Sequence, residues 1–335
     1  MSMNRCAFGM FSSVLLCCVG SGVAFPAIDA GHASVPNDAN TTDLVRDAFV
    51  PSSTRDATSP VIVDAASAVD ASVDASVLAC GARDIGLLPK ALDELSGLAL
   101  SRRHADVLYA HNDSGDTARF FALSSVDARL LATFSLSNVL ADDWEDIAVG
   151  PCATEKGSSC VYLADIGDNN LKRENVVIYE LPEPTLSSDK RLSATAHTFR
   201  YPDGPQNAET LLVHPQTGQA YVVGKAFGGA SKMYRVTLRG ANSMASREGS
   251  VSLPGGLLAL ATGGSFHPDG KRFALRTYGD LFEYAWPLSG VAPKELVVPS
   301  ETQGEAVSYS ADGLTWYTAS EGKDQVLHAT SCIRP

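Results

Sequence analysis

The sequence predicts an all-β fold, a five-bladed β-propeller whose N- and C-terminal strands close one blade. Three observations lead there. Nearly the same up-and-back unit, two apolar runs around a turn, occurs five times, at residues 94–113, 145–165, 207–225, 262–277 and 305–321. Each of the first four is followed by a further pair of strand-like runs, so a repeat is four strands long. The fifth lacks a strand that the start of the domain can supply; the alternative is six blades with the N-terminal tether folding, against which the composition of the tether speaks.

The repeat is clearest in NAETLLVHPQTGQAYVVGK, residues 207–225: a carboxylate, an apolar run, a His-Pro-Gln-Thr-Gly turn and an apolar return to a second charge. Aligning turns and apolar runs puts Ser96, Glu145, Glu209, Thr262 and Glu305 at one equivalent position, spaced 49, 64, 53 and 43 residues apart. Units of that period cannot bury both of their own faces and must stack on their neighbours.

In chain order, the opening is expected to be an address and not part of the fold. Arg5 precedes an apolar run from 11 to 24, too short to span a bilayer, and Gly22-Val23-Ala24 offers a small-x-small cleavage site, which reads as a secretory signal over residues 1–24. Cys17 and Cys18 leave a lipoprotein signal open, although Leu16 is a poor match for the small residue expected before the acylated cysteine. Residues 25–79 are rich in Ala, Ser, Asp, Pro and Val and have no Glu, Lys, Trp or Tyr, so they are expected to form a disordered tether. The chain is 45% hydrophobic, which leaves ample material for a core in residues 80–335.

The strand pairs that follow the units are RFFALS with RLLATFSLS, VVIYELPE with TAHTFRYP, KMYRVTL with GSVSLP, and DLFEYAW with ELVVP. After Glu305 only 30 residues remain, enough for a second and a third strand, QVLHATSC, but not for a fourth. ARDIGLLP, which precedes Ser96, is an outer strand without a blade and fills the gap. That closure brings Cys80 beside Cys332. Cys152 and Cys160 flank a Gly/Ser/Lys-rich turn, so disulfides 80–332 and 152–160 are the natural choice among the three pairings of an exported chain. The expected location is secreted or cell-surface/periplasmic, and the expected state is a monomer.

In a propeller the first strand of each blade lines the central channel, and equivalent positions form a ring around it. Three glutamates converging there either take up protons or share a cation. Ligands that are oxygen only select a hard cation, and in a calcium-rich exterior the first choice is Ca²⁺. The plainer alternative is that each glutamate caps its own blade.

The order Ser, Glu, Glu, Thr, Glu on the innermost strands resembles the calcium-activated nucleotidase (apyrase) family. So do YAHNDSGDTARFFAL, AETLLVHPQTGQAYVV and QGEAVSY, and ELSGLA with a later Glu-x-[IV]-Ala-like run is similar to phytase-like and SdiA-regulated bacterial propellers. The resemblance spans residues 93 to about 323. It implies a five-bladed fold and an axial Ca²⁺ held by Ser96, Glu145, Glu209, Thr262 and Glu305.

Residues reached by the returning strand are expected to crowd the same mouth: Asn112 and Asp113, Asp165 with Asp168 and Asn169, Lys225, Arg276 and Glu321. A mouth of that composition suits a small anionic molecule, with Lys225 and Arg276 clamping its oxygens, Asn112 and Glu321 completing the contacts, and Asp113 or Asp165 as general base. The alternative is that these are solvated turn residues, since HNDSGD and DIGDNN are turn compositions in their own right. Asp142, Asp143 and Asp146, with Asp165 or Asp168, are candidates for a second Ca²⁺.

Two functions remain open. One is a calcium-dependent hydrolase of phosphoester or phosphoanhydride bonds; the other is a non-catalytic module that binds an extracellular ligand or partner, with structural calcium. The net charge of −12 argues against nucleic acid, and a membrane is expected only through N-terminal lipidation. No Gly-rich phosphate loop and no Gly-x-Ser-x-Gly elbow is present.

Overall fold

The computed structural model describes residues 79–187 and 190–333. The expected signal, its acylation alternative and the tether lie outside the described residues, apart from Ala79, which opens the first strand.

Five small antiparallel sheets form the fold. From the axis outward, blade one is Leu95–Leu100, Val107–Asn112, Arg119–Ser124 and Leu130–Ser137. Blade two is Trp144–Pro151, Ser159–Asp165, Val176–Pro182 and Thr195–Arg200. Blade three is Ala208–Val213, Ala220–Gly224, Ala230–Val236 and Ser246–Ser252. Blade four is Gly263–Phe266, Arg272–Arg276, Leu281–Ala285 and Lys294–Leu296. Blade five takes Gly304–Tyr309, Thr315–Ser320 and Val326–Ile333 from the end of the chain and Ala79–Leu87 from its start. The innermost strands neighbour one another in the order one to five and back to one, so the ring is closed.

Two additions were not anticipated. Lys190–Ser193, from the connection between the outer strands of blade two, pairs in parallel with the outer strand of blade one. Ser243–Met244, from the same connection in blade three, does so on blade two. Both cover sheet edges whose free amides and carbonyls would otherwise template pairing with another chain.

The core is distributed as one apolar layer between each pair of blades. Tyr109, Phe120, Phe134, Trp144 and Leu163 fill the gap between blades one and two, and Leu212, Val223, Phe266, Phe273 and Tyr284 fill that between three and four. Burial of each such side chain contributes roughly 1.5–3 kcal/mol, so the stacking of blades, and not any single blade, supplies the stability.

The terminal strands meet as the strand count required. Cys80 lies directly opposite Cys332 and is bonded to it, with 4.0 Å between the Cα atoms. The second disulfide joins Cys152 to Cys160 across a hairpin of blade two. The first bond spans 252 residues, and closing a loop of that order stabilises a fold by about 5 kcal/mol in the chain-entropy account.

Candidate functional site

The channel mouth is built by a repeated backbone irregularity. Pairing between the first two strands slips between Leu95 and Gly97, Trp144 and Asp146, Ala208 and Thr210, and Gly304 and Ala306. In each case the residue skipped is the one the sequence alignment made equivalent: Ser96, Glu145, Glu209 and Glu305. A β-bulge kinks its strand and re-aims a side chain, so four blades use one device at one position. In blade four Thr262 stands one residue before the strand, its amide donating to the Arg276 carbonyl at 2.9 Å. All five residues are buried.

Their partners differ. The Ser96 hydroxyl donates to the Glu145 carbonyl at 2.8 Å and the Thr262 hydroxyl to the Gly304 carbonyl at 2.9 Å, which stitches neighbouring blades. Glu209 is paired with the Lys225 ammonium, which lies 5.1 Å from the centre of the Tyr278 ring. Glu305 accepts from the Gln303 amide at 3.0 Å, and the same amide reaches Glu321. Among the described residues no hydrogen bond reaches the Glu145 carboxylate. Instead it gathers with Asp113 and Asp143, one oxygen from each lying within 4.8 Å of the others. Gly167 makes this approach feasible, because a Cβ there would stand 2.1 Å from Glu145 Oε1 and 2.4 Å from Asp143 Oδ2. The three ring glutamates do not form a comparable group among the described residues.

The electrostatics follow. Burial, then repulsion from Glu209, Asp113 and Asp143, pushes the Glu145 carboxyl far up. Burial and Glu321 do the same to Glu305. Burial raises Glu209 to about 7 against the opposing pull of Lys225, and raises half-buried Asp113 to about 6. Such a mouth favours protons or a cation. Its donors are all oxygens, and Glu145 has lone pairs free, so the residues fit a hard divalent ion.

Several expected contributors have other employment. Arg276, expected as an anion clamp, is fully covered and bonded at 2.8 Å to Glu301, which is held in turn by the Thr318 hydroxyl at 2.6 Å. A clamp needs an open path to its ligand, and Arg276 has none in this arrangement. Asp165, expected as an alternative base, accepts from the Asp142 and Asp143 amides and from Arg173 at 2.6 Å, so its lone pairs are spent on the turn that holds Asp143. Asn112 bonds Ala91 and Asp116. Asp168 accepts from the Lys172 and Arg173 amides, and Asn169 meets Asn207. Asp146, expected near a second ion, accepts from the Ile147 and Leu211 amides, both at 2.8 Å, and is not part of the group formed by Glu145, Asp113 and Asp143. Asp113, Lys225 and Glu321 remain at the mouth.

Sequence reasoning missed Tyr278, Gln303, Glu301, Arg173 and Gly167. Only Gly167 carried a signal, a glycine within the acidic turn DIGDNN.

At the other end of the channel the innermost strands enclose a cavity of about 390 Å³, walled by Leu98, Ile147, Leu211, Val213 and Phe266, with Arg102 its sole charged lining residue. Among the described residues the acidic cluster of Asp113, Asp143 and Glu145 is at the opposite mouth. No helix among the described residues is long and apolar enough to cross a membrane.

The fold and site define a five-bladed β-propeller with an acidic channel mouth. Comparison with protein-family models and with curated proteins finds no match to this chain.

Proposed function

We propose that this chain is an exported propeller whose acidic mouth binds a divalent cation, Ca²⁺ in an extracellular setting, and presents it to a small anionic ligand. The observation that carries the reading is Glu145. A carboxylate with no hydrogen bond that faces other carboxylates is costly to ionise, and this one sits over Gly167 within reach of Asp113 and Asp143, where a cation would offset the cost. Glu209, Glu305, Ser96 and Thr262 supply further oxygens around the axis. Two disulfides support an oxidising compartment.

With Arg276 and Asp165 engaged elsewhere, the mouth is better furnished for binding than for catalysis, and a ligand-binding module is the reading we favour. The hydrolase reading keeps one candidate base, Asp113, which stands half-buried at the mouth and is pushed up by burial to about 6 before any cation binds. The test is calorimetric titration with CaCl₂ and with MgCl₂, alongside melting in chelator and in excess calcium. A melt that is indifferent to both, with no heat of binding, rejects the cation. A phosphate-release screen over nucleotides and inositol phosphates, with Asp113→Asn as control, then separates the two classes. Turnover lost in Asp113→Asn selects the hydrolase, and no turnover selects the binding module.

A further inference from the structure

Lys225 is the one basic side chain that meets the ring glutamates among the described residues. Its backbone amide is fixed to the Asn207 carbonyl at 2.9 Å, at the end of the second strand of blade three. From there its stem carries the ammonium to Glu209 and beside Tyr278, at 5.1 Å from the ring centre. The side chain is 16% exposed, so it is an interior counterion and not a solvated surface charge.

We propose that Lys225 is a tethered internal cation that competes for Glu209 with a bound dication and thereby sets the site's selectivity for divalent over monovalent ions. The inference rests on the cation reading above. A monovalent ion that displaces the ammonium leaves the charge at Glu209 unchanged and has its own hydration to lose, so it gains nothing from the exchange. A dication removes a further unit of negative charge from a cluster that holds Glu145, Asp113 and Asp143 as well, and only that surplus drives exchange. The displaced ammonium stays attached to the wall of the mouth, where it can meet an anion that bridges to the cation.

The test is calorimetric titration of the full chain with CaCl₂, at low and at high NaCl, for the wild type, Lys225→Met and Tyr278→Leu. When an occupant holds a site, apparent affinity falls by the fraction of time the site is free, so removing the occupant raises Ca²⁺ affinity by roughly tenfold or more in Lys225→Met. That gain shrinks at high NaCl, because sodium can now enter. Tyr278→Leu keeps the charge but removes the ring beside it, and shows a smaller gain of the same sign; it decides the question where Lys225→Met does not fold. Wild-type binding with equal or weaker binding in the variants overturns the role of Lys225 and leaves the cation site standing. No binding by any of the three proteins rejects the cation site itself.

Discussion

Glu145 and Asp146 are neighbours in the chain and both carboxylates are buried, yet they stand in opposite circumstances. Asp146 accepts the amides of Ile147 in its own blade and Leu211 in blade three, so one side chain pins two innermost strands together. Glu145, one residue nearer the mouth, has no hydrogen bond from any described residue and faces two further acids. Burial alone does not distinguish a structural carboxylate from a binding one. The supply of fixed donors does: a charge met by backbone amides is satisfied by the fold, and one left facing other carboxylates requires something the fold does not provide. Glu301, held by Arg276 and the Thr318 hydroxyl, belongs with Asp146; Glu209, paired with Lys225, and Glu305, bonded to Gln303, stand between the two, each met by one donor while still facing other acids.

The largest effect that tests this division is expected from Glu301→Ala. It leaves Arg276 covered and unpaired, and should cost about 3–5 kcal/mol in urea unfolding with no change in calcium affinity. Loss of calcium binding at intact stability would move Glu301 to the other class. Asp146→Ala comes next: it orphans amides in neighbouring blades at roughly 1–3 kcal/mol each, and excess calcium should not restore the lost stability. By contrast Glu145→Gln, which mimics the protonated form, should raise stability in chelator by about 1 kcal/mol while removing the calcium-dependent rise in melting temperature. If it destabilises as Asp146→Ala does, the two carboxylates are alike and the comparison fails.

The smallest expected effect is on pH dependence. Glu209, raised to about 7 from an ordinary value of 4.5, holds its proton more tightly in the folded chain than in the unfolded one. Its contribution to stability is therefore complete below about 4.5 and is lost as pH rises through 7. Asp113, raised from 3.8 to about 6, acts in the same direction over a lower window. In chelator the melting temperature should fall as pH is raised from about 5 through 7, with Glu145 and Glu305 acting in the same direction. Saturating calcium should flatten or reverse that slope, because it binds the ionised form. A calcium-free slope of opposite sign would show that these carboxyls are not held against their charge.

How far the sequence reached depends on what kind of contact each residue makes. The five ring positions were legible because strand and turn recur in register, with a bulge at four of them, and a repeat in structure leaves a repeat in sequence. Asp113 was legible as an acid at the end of a returning strand. Arg276 ends the second strand of blade four and Lys225 lies one residue beyond that of blade three, so both read as basic residues near the mouth, yet Glu301 comes from the connection entering blade five, and nothing local announces its pairing with Arg276. The engagement of Asp165 is hidden for a related reason: its turn is closed by Arg173, eight residues on, and a composition of Asp, Gly and Asn reads alike whether it binds a ligand or itself.

By itself the sequence determined the blade count, the shared closing blade, both disulfides and the register of the ring, since these follow from hydrophobic periodicity, strand arithmetic and cysteine placement along one chain. Tertiary structure alone decided which buried charges are satisfied. A carboxylate's donors arrive from blades dozens of residues away, so Glu145 and Asp146 are indistinguishable until the innermost strands are set side by side.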